Sequence, residues 1–435
     1  MHSANRPGII HCSTAVLGAL VTLLAAQPAP AQDMARVRRT ISVLTSPKLH
    51  GRGYTHHGDQ RAAAYIAKRF HQLGLQAWQP DYRQPFPLTV NTFSEGLKVF
   101  VGRQTLQPGI DFIPHPTSGS FQGKLAVVYF DTLAFTQPAI RNQFLQQDLR
   151  QKALVYEQQI EARLQQMPEL KAKLAEARAS IVLTTAKLTA SVADTQAPHV
   201  RLLVRAQAWP AQAQHVRLDV TAHLQQAYQT QNVLGYVPGT AVPDSFLVVT
   251  AHYDHLGELG RRTYFPGAND NASGTTMLLE LAEHFAQPAN RLRYSVAFIA
   301  FSGEEAGLLG SQFFVANPAM PLASIRFLLN LDLVGTGEEG ITVVNGKVHS
   351  QEYQLLQQLN TSDVGVGAIA ARGRAANSDH YPFSEQGVPA FFWYTRGGTA
   401  AYHDVHDKPK PLPLTAFPRL VNLARQFLQR LSRTI

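Results

Sequence analysis

Four apolar runs in this chain lead into histidines or carboxylates. Residues 245–250 run into Ala251-His252-Tyr253-Asp254-His255, residues 294–301 into Ser302-Gly303-Glu304-Glu305, and residues 327–331 into Asp332. Residues 390–394 are followed by Tyr402-His403-Asp404. One more carboxylate, Asp270, lies in Gly267-Ala268-Asn269-Asp270-Asn271-Ala272-Ser273-Gly274, just ahead of a helical apolar pattern. Ending buried strands on unpaired charges is costly, so the repetition makes a poor core. Convergence of the same groups on a divalent cation removes the objection.

The donor types fit zinc, which accepts imidazole nitrogen and carboxylate oxygen, and two imidazoles with three carboxylates suffice for two ions sharing one bridging carboxylate. His252, Asp270 and Asp332 are assigned to one ion; Glu305, His403 and the shared Asp270 are assigned to the other. Asp254, two residues beyond His252, is placed to accept the proton of the second ring nitrogen and fix the tautomer. That leaves Glu304 as general base beside a water acidified by zinc. His255, His380 and His406 are read as ordinary hydrogen-bonding histidines, not ligands.

The elements that must position these groups alternate strand, loop and helix after Asn232. Strands are expected at residues 245–250, 294–301, 327–331, 341–344 and 390–394. Helices are expected at residues 273–286, 307–316, 351–359 and 414–431. The continuous β-branched and apolar run 245–250 is the mark of a strand buried on both faces. The fold class is therefore α/β, a mixed and mostly parallel sheet with helices on both faces, whose strand ends are where ligands bind. Residues 32–85 supply two N-terminal helical patterns to the same domain. Residues 86–231 change texture, with short β-like runs around a long Gln-, Leu- and Ala-rich stretch. They are read as a smaller β-rich insert carrying one helical hairpin or bent helix over 138–179, broken at Pro168.

Composition limits the function classes. With 45% apolar and 16% charged residues the chain is neither disordered nor a multispan membrane protein. Its formal net charge of +9 comes from scattered residues without a basic arm, so nucleic acid is not an expected partner. The N-terminus reads as an export signal: Arg6 precedes the apolar run Ala15 to Ala26, and Ala29-Pro30-Ala31 offers a cleavage point before Gln32. The run is too short to span a bilayer, so residues 1–31 are expected to leave and the mature protein to be periplasmic or secreted. The single cysteine, Cys12, falls within that segment. Neither disulfides nor thiolate ligands are then available, and metal must be held by His, Asp and Glu.

The stretches AHYDHLG, GANDNASG, FSGEEAGLLGS, NLDLVG and YHDVHDKP resemble those of the two-zinc exopeptidases of metallopeptidase family twenty-eight, across residues 232 to 410. GRGYTHHGDQRAAAYIAKRF is similar more weakly. The resemblance implies a zinc aminopeptidase-like fold, peptide substrates and two Zn²⁺. It also implies His252, Asp270, Glu305, Asp332 and His403 as ligands, Asp254 as orienting acid, Glu304 as base, and a cis peptide after Asp270. Residues 86–231 look like a protease-associated insert, although the long Gln-rich stretch departs from its pattern. Asp404, Val405 and Lys408 also depart, standing where Thr, Pro and Thr are more usual.

Two cations and several carboxylates suit a substrate's free α-amino group, which favours an aminopeptidase. A glutamate-carboxypeptidase-like enzyme would need a cation for the terminal carboxylate, for which Arg372, Arg374 and Arg396 are the candidates. The residue pattern also has two further possible owners, a glutaminyl cyclase of the same fold and a non-catalytic receptor-like binding protein. Tyr381, Phe383, Phe391, Phe392, Trp393, Tyr394 and Tyr402 form an aromatic cluster that could line an apolar pocket, with Phe391 and Phe392 better suited to the core. Asp379, in Ser378-Asp379-His380, is a further substrate-side candidate.

Overall fold

A computed structural model of the chain describes residues 1–4, 8, 32–361 and 365–434. The apolar run 15–26 and the small residues 29–31 of the expected export segment lie outside the described residues. Among the described residues no helix is long and apolar enough to cross a membrane.

Residues 33–435 form one compact unit built on two eight-stranded sheets. The first sheet runs, in spatial order, Arg83–Thr92, His223–Val237, Tyr294–Phe301, Val242–His252, Ile325–Leu331, Ala390–Thr395, Ile341–Val344 and Ile369–Ala371. Val242–His252 lies parallel to both of its neighbours, and Ile325–Leu331 is parallel to Ala390–Thr395. Four central strands therefore end on one edge of the sheet. Their side chains alternate between two cores: Leu247, Val249 and Ala251 face a core shared with Ile66, Leu278 and Phe427, while Phe246 and Val248 face Phe314 and Phe383. Helices cover both faces, so every residue of Tyr294–Phe301 is buried, as a strand without a solvent face requires.

The helix Gly274–Ala286 follows the Asp270 loop and buries Met277, Leu278, Leu281 and Phe285. The C-terminal helix is Phe417–Thr434, beginning after the positive-φ residue Leu414 (φ 57°) rather than at it.

The second sheet departs from expectation in two ways. Its strands run from Leu97–Val101 to His215–Val220, so the expected boundaries at 86 and 231 fall inside two strands of the first sheet, Arg83–Thr92 and His223–Val237. These two pair antiparallel with each other, which places the chain's exit from and return to the first sheet side by side. The long helix over 138–179 is absent. That stretch is helix Pro138–Gln146, strand Lys152–Glu157, short helices Glu161–Leu164 and Pro168–Leu174, and the start of strand Ala179–Thr184. Ala153, Leu154, Val155 and Tyr156 are consecutive buried residues, and Lys152–Glu157 pairs parallel with strands on both sides. Burial in the middle of a sheet outweighs the helical propensity of the flanking Gln- and Leu-rich segments. Pro168 opens a helix at its first turn instead of bending one.

Candidate metal centre

The strand ends meet. His252, last residue of its strand, points Nε2 at Asp270 Oδ1 and at Asp332 Oδ1, each 3.4 Å away. His403 points Nε2 at Asp270 Oδ2 (3.0 Å) and at Glu305 Oε2 (3.1 Å). The two oxygens of Asp270 thus face two different imidazoles. Glu304 Oε2 lies 3.9 Å from His252 Nε2. His252, Asp270 and Asp332 are buried, and within them Asp270 Oδ2 and Asp332 Oδ1 accept no hydrogen bond.

The local sequence explains how each group is held. Tyr253-Asp254 follows His252, and the Asp254 carboxylate accepts from Tyr54 Oη (2.6 Å) and from the amides of Glu304 and Glu305 (3.3 Å each). It fastens the turn after one strand to the end of its neighbour. His252 Nδ1 lies 3.2 Å from the Asp254 carbonyl and 3.6 Å from Oδ1, so the backbone oxygen, rather than the expected carboxylate, is the nearer acceptor for that ring proton. Asp332 is held by a relay in which Thr250 Oγ1 donates to Asn330 Oδ1, Asn330 Nδ2 to Ser378 Oγ, and Ser378 Oγ to Asp332 Oδ2 (2.9 Å).

The loop bearing Asp270 is tied down on both sides. Asp407 accepts the amides of Asn269 and Asp270, and Arg52, fully buried, donates to the carbonyls of Tyr253, Leu44, Pro266, Gly267 and Asp270. Gly267 (φ 57°) admits no side chain here, because a Cβ would stand 2.2 Å from the Asp270 carbonyl oxygen. The Asp270–Asn271 peptide is cis, as the resemblance implies.

The electrostatics follow from four clustered carboxylates. Burial opposes protonation of His403, but the carboxylates of Glu305 and Asp270, 3.1 and 3.0 Å from its Nε2, prevail and lift the imidazole to about 11. His252 is likewise held well above the usual histidine range, burial being overcome chiefly by Asp332 and Glu304. Burial raises the Glu304 carboxyl well above the usual range, with Glu305, Asp332 and Asp379 adding to it and His252 opposing. A carboxyl with raised proton affinity is chemically able to take up and return a proton. Excess negative charge around two imidazoles, with two carboxylate oxygens lacking hydrogens, is a donor set that fits divalent cations. Among the described residues, the ligand atoms of His252, Glu304 and Asp332 lie close enough together to hold one ion and those of His255, Asp270 and Glu305 a second, with His403 Nε2 within 3.1 Å of Asp270 and Glu305.

Residues 232–428 match the model of peptidase family M28. The chain carries an M28 peptidase domain. Aminopeptidase YwaD of Bacillus subtilis is 32% identical over 173 residues, covering 38% of this chain and 36% of that protein. Leucine aminopeptidase 1 of Arthroderma gypseum is 26% identical over 182 residues, covering 39% and 48%. The chain thus matches about a third to a half of the length of these curated relatives. The fold is that of a zinc aminopeptidase from Bacillus subtilis (TM-score 0.67, 19% identity, 91% of this chain and 94% of that one). It is also that of the aminopeptidase from Aneurinibacillus sp. strain AM-1 (TM-score 0.62, 18% identity, 92% and 93%).

Beside the donor cluster of the M28 domain lies a cavity of about 200 Å³ lined by His252, Asp270, Glu304, Asp332, His403, Leu333, Asn377, Phe392, Tyr394 and Tyr402. Tyr402 stacks on the His403 ring at 3.9 Å and is 43% exposed. Other substrate-side expectations need correction. Phe383 is fully buried against Phe301 and Phe314, with no surface toward the cavity. Tyr381, on the same short helix, is outside the lining, as are Phe391 and Trp393, which belong to the core. Phe392, assigned to packing, is in the lining instead: successive strand residues face opposite sides, so Phe392 and Tyr394 share one. Asp379 is buried without a hydrogen bond to either oxygen, and burial pushes it up to about 7. Arg372, Arg374 and Arg396 are all outside the lining.

Four residues bonded to the cluster or its loops have no assignment from sequence alone. His255, read as ordinary, places Nδ1 2.6 Å from Glu305 Oε1 and is completely buried. Tyr54, Arg52 and Asp407 had one visible signal each: the first two sit in the similar GRGYTHHGD stretch, and Asp407 follows His403 in YHDVHDKP. None carries a periodicity that announces a long-range contact.

Proposed function

We propose that this protein is an exported, zinc-dependent exopeptidase that removes N-terminal residues from peptides, with two ions per chain. The observation that carries the reading is the division of Asp270, one oxygen facing His252 and the other His403. A single carboxylate shared in this way, with Asp332 on one side and Glu305 on the other, supports a two-ion site rather than two unrelated ones. The pattern of residues 1–31, with Arg6 ahead of the apolar run Ala15 to Ala26 and small residues at Ala29-Pro30-Ala31, supports delivery outside the cytoplasm. Residues 97–220 are read as an insert within the peptidase domain.

Zinc, when bound, supplies Lewis acidity to the scissile carbonyl and lowers the pKa of the attacking water. Glu304 takes the proton from that water and returns it to the departing amine, a task suited to a carboxyl whose affinity for protons burial has raised. His255 holds Glu305, Ser378 holds Asp332, and Asp407 with Arg52 holds the Asp270 loop, so the donors arrive already oriented. The cavity presents three carboxylates and no lysine or arginine. Such a lining attracts a free α-ammonium group and repels a terminal carboxylate, which favours the aminopeptidase reading. Phe392, Tyr394, Tyr402 and Leu333 offer an apolar wall to the first side chain.

The test is an assay on amino-acid p-nitroanilides and on amino-blocked peptides, with and without a chelator. Cleavage of the free-amine substrates, lost on chelation and restored by zinc, is the expected result. Cleavage of blocked peptides from the carboxyl end overturns the aminopeptidase assignment, and turnover indifferent to chelation overturns the metal.

A further inference from the structure

His403 differs from the other donors in how it is held. His252 ends a central strand, and Asp332, Glu304 and Glu305 lie within four residues of the ends of theirs, whereas His403 sits on an irregular segment with a left-handed backbone (φ 51°). A non-glycine residue holds that conformation only where its surroundings impose it. Those surroundings come from the second sheet. In the segment between strands Ala179–Thr184 and Val200–Arg205, the Ala190 amide donates to the His403 carbonyl (2.9 Å), and the Ala190 carbonyl lies 3.0 Å from His403 Nδ1. The ring nitrogen turned away from Asp270 and Glu305 is thereby given its acceptor.

Three residues earlier, Lys187 closes the same junction. Its Nζ donates to the carbonyls of Ala400 (2.7 Å) and Tyr402 (2.8 Å) and pairs with Asp404 Oδ2 at 2.7 Å. Asp404 is 6% exposed and also accepts the His406 amide on Oδ1, so one lysine grips the chain on both sides of His403. Val405 continues the contact into the second sheet's own core, beside Phe265 and Leu259. Gly109 (φ 77°) makes room for it, since a Cβ there would stand 2.7 Å from Val405 Cγ1. The far end of the segment is tied as well, the Asn91 amide donating to the Ala193 carbonyl. Asp404 and Val405 are two of the positions at which the sequence departs from the family pattern, and both departures are occupied by contacts with the second sheet.

We propose that Lys187 and the Ala190 backbone are positioning elements of the metal centre, through which the second sheet sets the affinity of the ion held by His403 and Glu305. The inference rests on the two-ion reading of the site. Groups that orient a metal ligand typically change affinity by about 10–100-fold when removed, and Lys187, which acts through the backbone around the ligand, belongs at the lower end.

The experiment uses the full chain stripped with chelator and titrated with zinc against a chromophoric competitor, and with cobalt followed by its visible absorption. In wild type two ions bind. In Lys187→Ala one of the two is expected to bind about tenfold more weakly, with an altered cobalt band for that ion alone, while the other ion and the melting temperature of the metal-free chain stay as in wild type. Lys187→Arg is expected to recover the affinity. Asp404→Asn is expected to weaken the same ion, and adding Lys187→Ala to it to cost less than in the wild-type background. Two ions bound by Lys187→Ala as tightly as by wild type, with unchanged cobalt bands, overturn the proposal and leave the peptidase reading standing. Equal weakening of both ions with a lowered melting temperature also overturns it, by showing a general loss of structure. A wild-type chain that takes up no ion overturns the peptidase reading first, and this inference with it.

Discussion

The two sheets have equal strand numbers and opposite roles. In the first, parallel strands buried on both faces end together, and their ends carry His252, Glu304, Glu305 and Asp332. In the second, strands such as Leu97–Val101 and His215–Val220 alternate buried and exposed residues, and the sheet's contribution to the site is a loop offering backbone groups and one lysine. A sheet covered on both faces leaves its carboxyl edge as the place where charged groups can converge without disturbing a core. The second sheet is covered on both faces only at central strands such as Lys152–Glu157, and it reaches the site through its connections.

The sharpest break in that contrast is at Asp270, where both half-sites meet. Asp270→Ala is expected to abolish turnover and remove both ions, read as zinc per protein after dialysis. Retention of one tightly held ion would mean that the two half-sites are separate. Glu304→Gln comes next. It keeps the donor geometry and removes the proton acceptor, so kcat should fall by about 10²–10⁴-fold while zinc content stays at the wild-type value. Loss of zinc together with activity would instead make Glu304 a ligand, consistent with its 3.9 Å approach to His252.

Arg52 tests whether the first sheet's edge stands without its N-terminal support. Arg52→Met leaves five carbonyls short of a donor in a buried position. The expected loss is roughly 3 kcal/mol in urea unfolding, since each buried unsatisfied group costs about 1–3 kcal/mol and some are reached by water. A loss below about 1 kcal/mol would show that the Asp270 loop is held by Asp407 alone.

How much of this could be read in advance follows the same division. The first sheet's central strands announce themselves as unbroken apolar runs, and the candidate donors His252, Glu305 and Asp332 stand out because they lie at or just beyond the ends of such runs. The second sheet misled because Lys152–Glu157 is a short apolar strand between segments rich in helix formers, and only its parallel partners decide its state. Propensity is local, whereas strand pairing is not. Phe383 and Phe392 were assigned to each other's places for a related reason: aromatic type shows that a residue is buried, while the strand or helix face decides against what. His255 looked ordinary because a histidine bonded to a buried carboxylate, as it is to Glu305, has the same sequence signature as one capping a loop.

The smallest expected effect asks whether the two sheets, so different in role, unfold as one. Each region has a half-buried histidine with a lowered pKa: His284, on the helix Gly274–Ala286 that follows the Asp270 loop, and His115, beside the second sheet. Burial lowers both to about 4, the charge of Arg425 adding to the effect at the first and that of Arg201 at the second. The native chain leaves these rings neutral in a range where the unfolded chain protonates them. The stability associated with their neutrality is therefore complete above pH 6.5 and is lost as pH falls from 6.5 toward 4. His284→Gln and His115→Gln should each flatten the fall of melting temperature across that window, by about a degree or two at most on the scale of a chain this long, as the size dependence of melting shifts implies. If residues 33–435 melt as the one compact unit they form, a single calorimetric transition moves in both variants. Two transitions, with His115→Gln moving only one and His284→Gln only the other, would show that the junction at Lys187 and Val405 is too weak to couple the sheets, and would make the second sheet a passenger on the first.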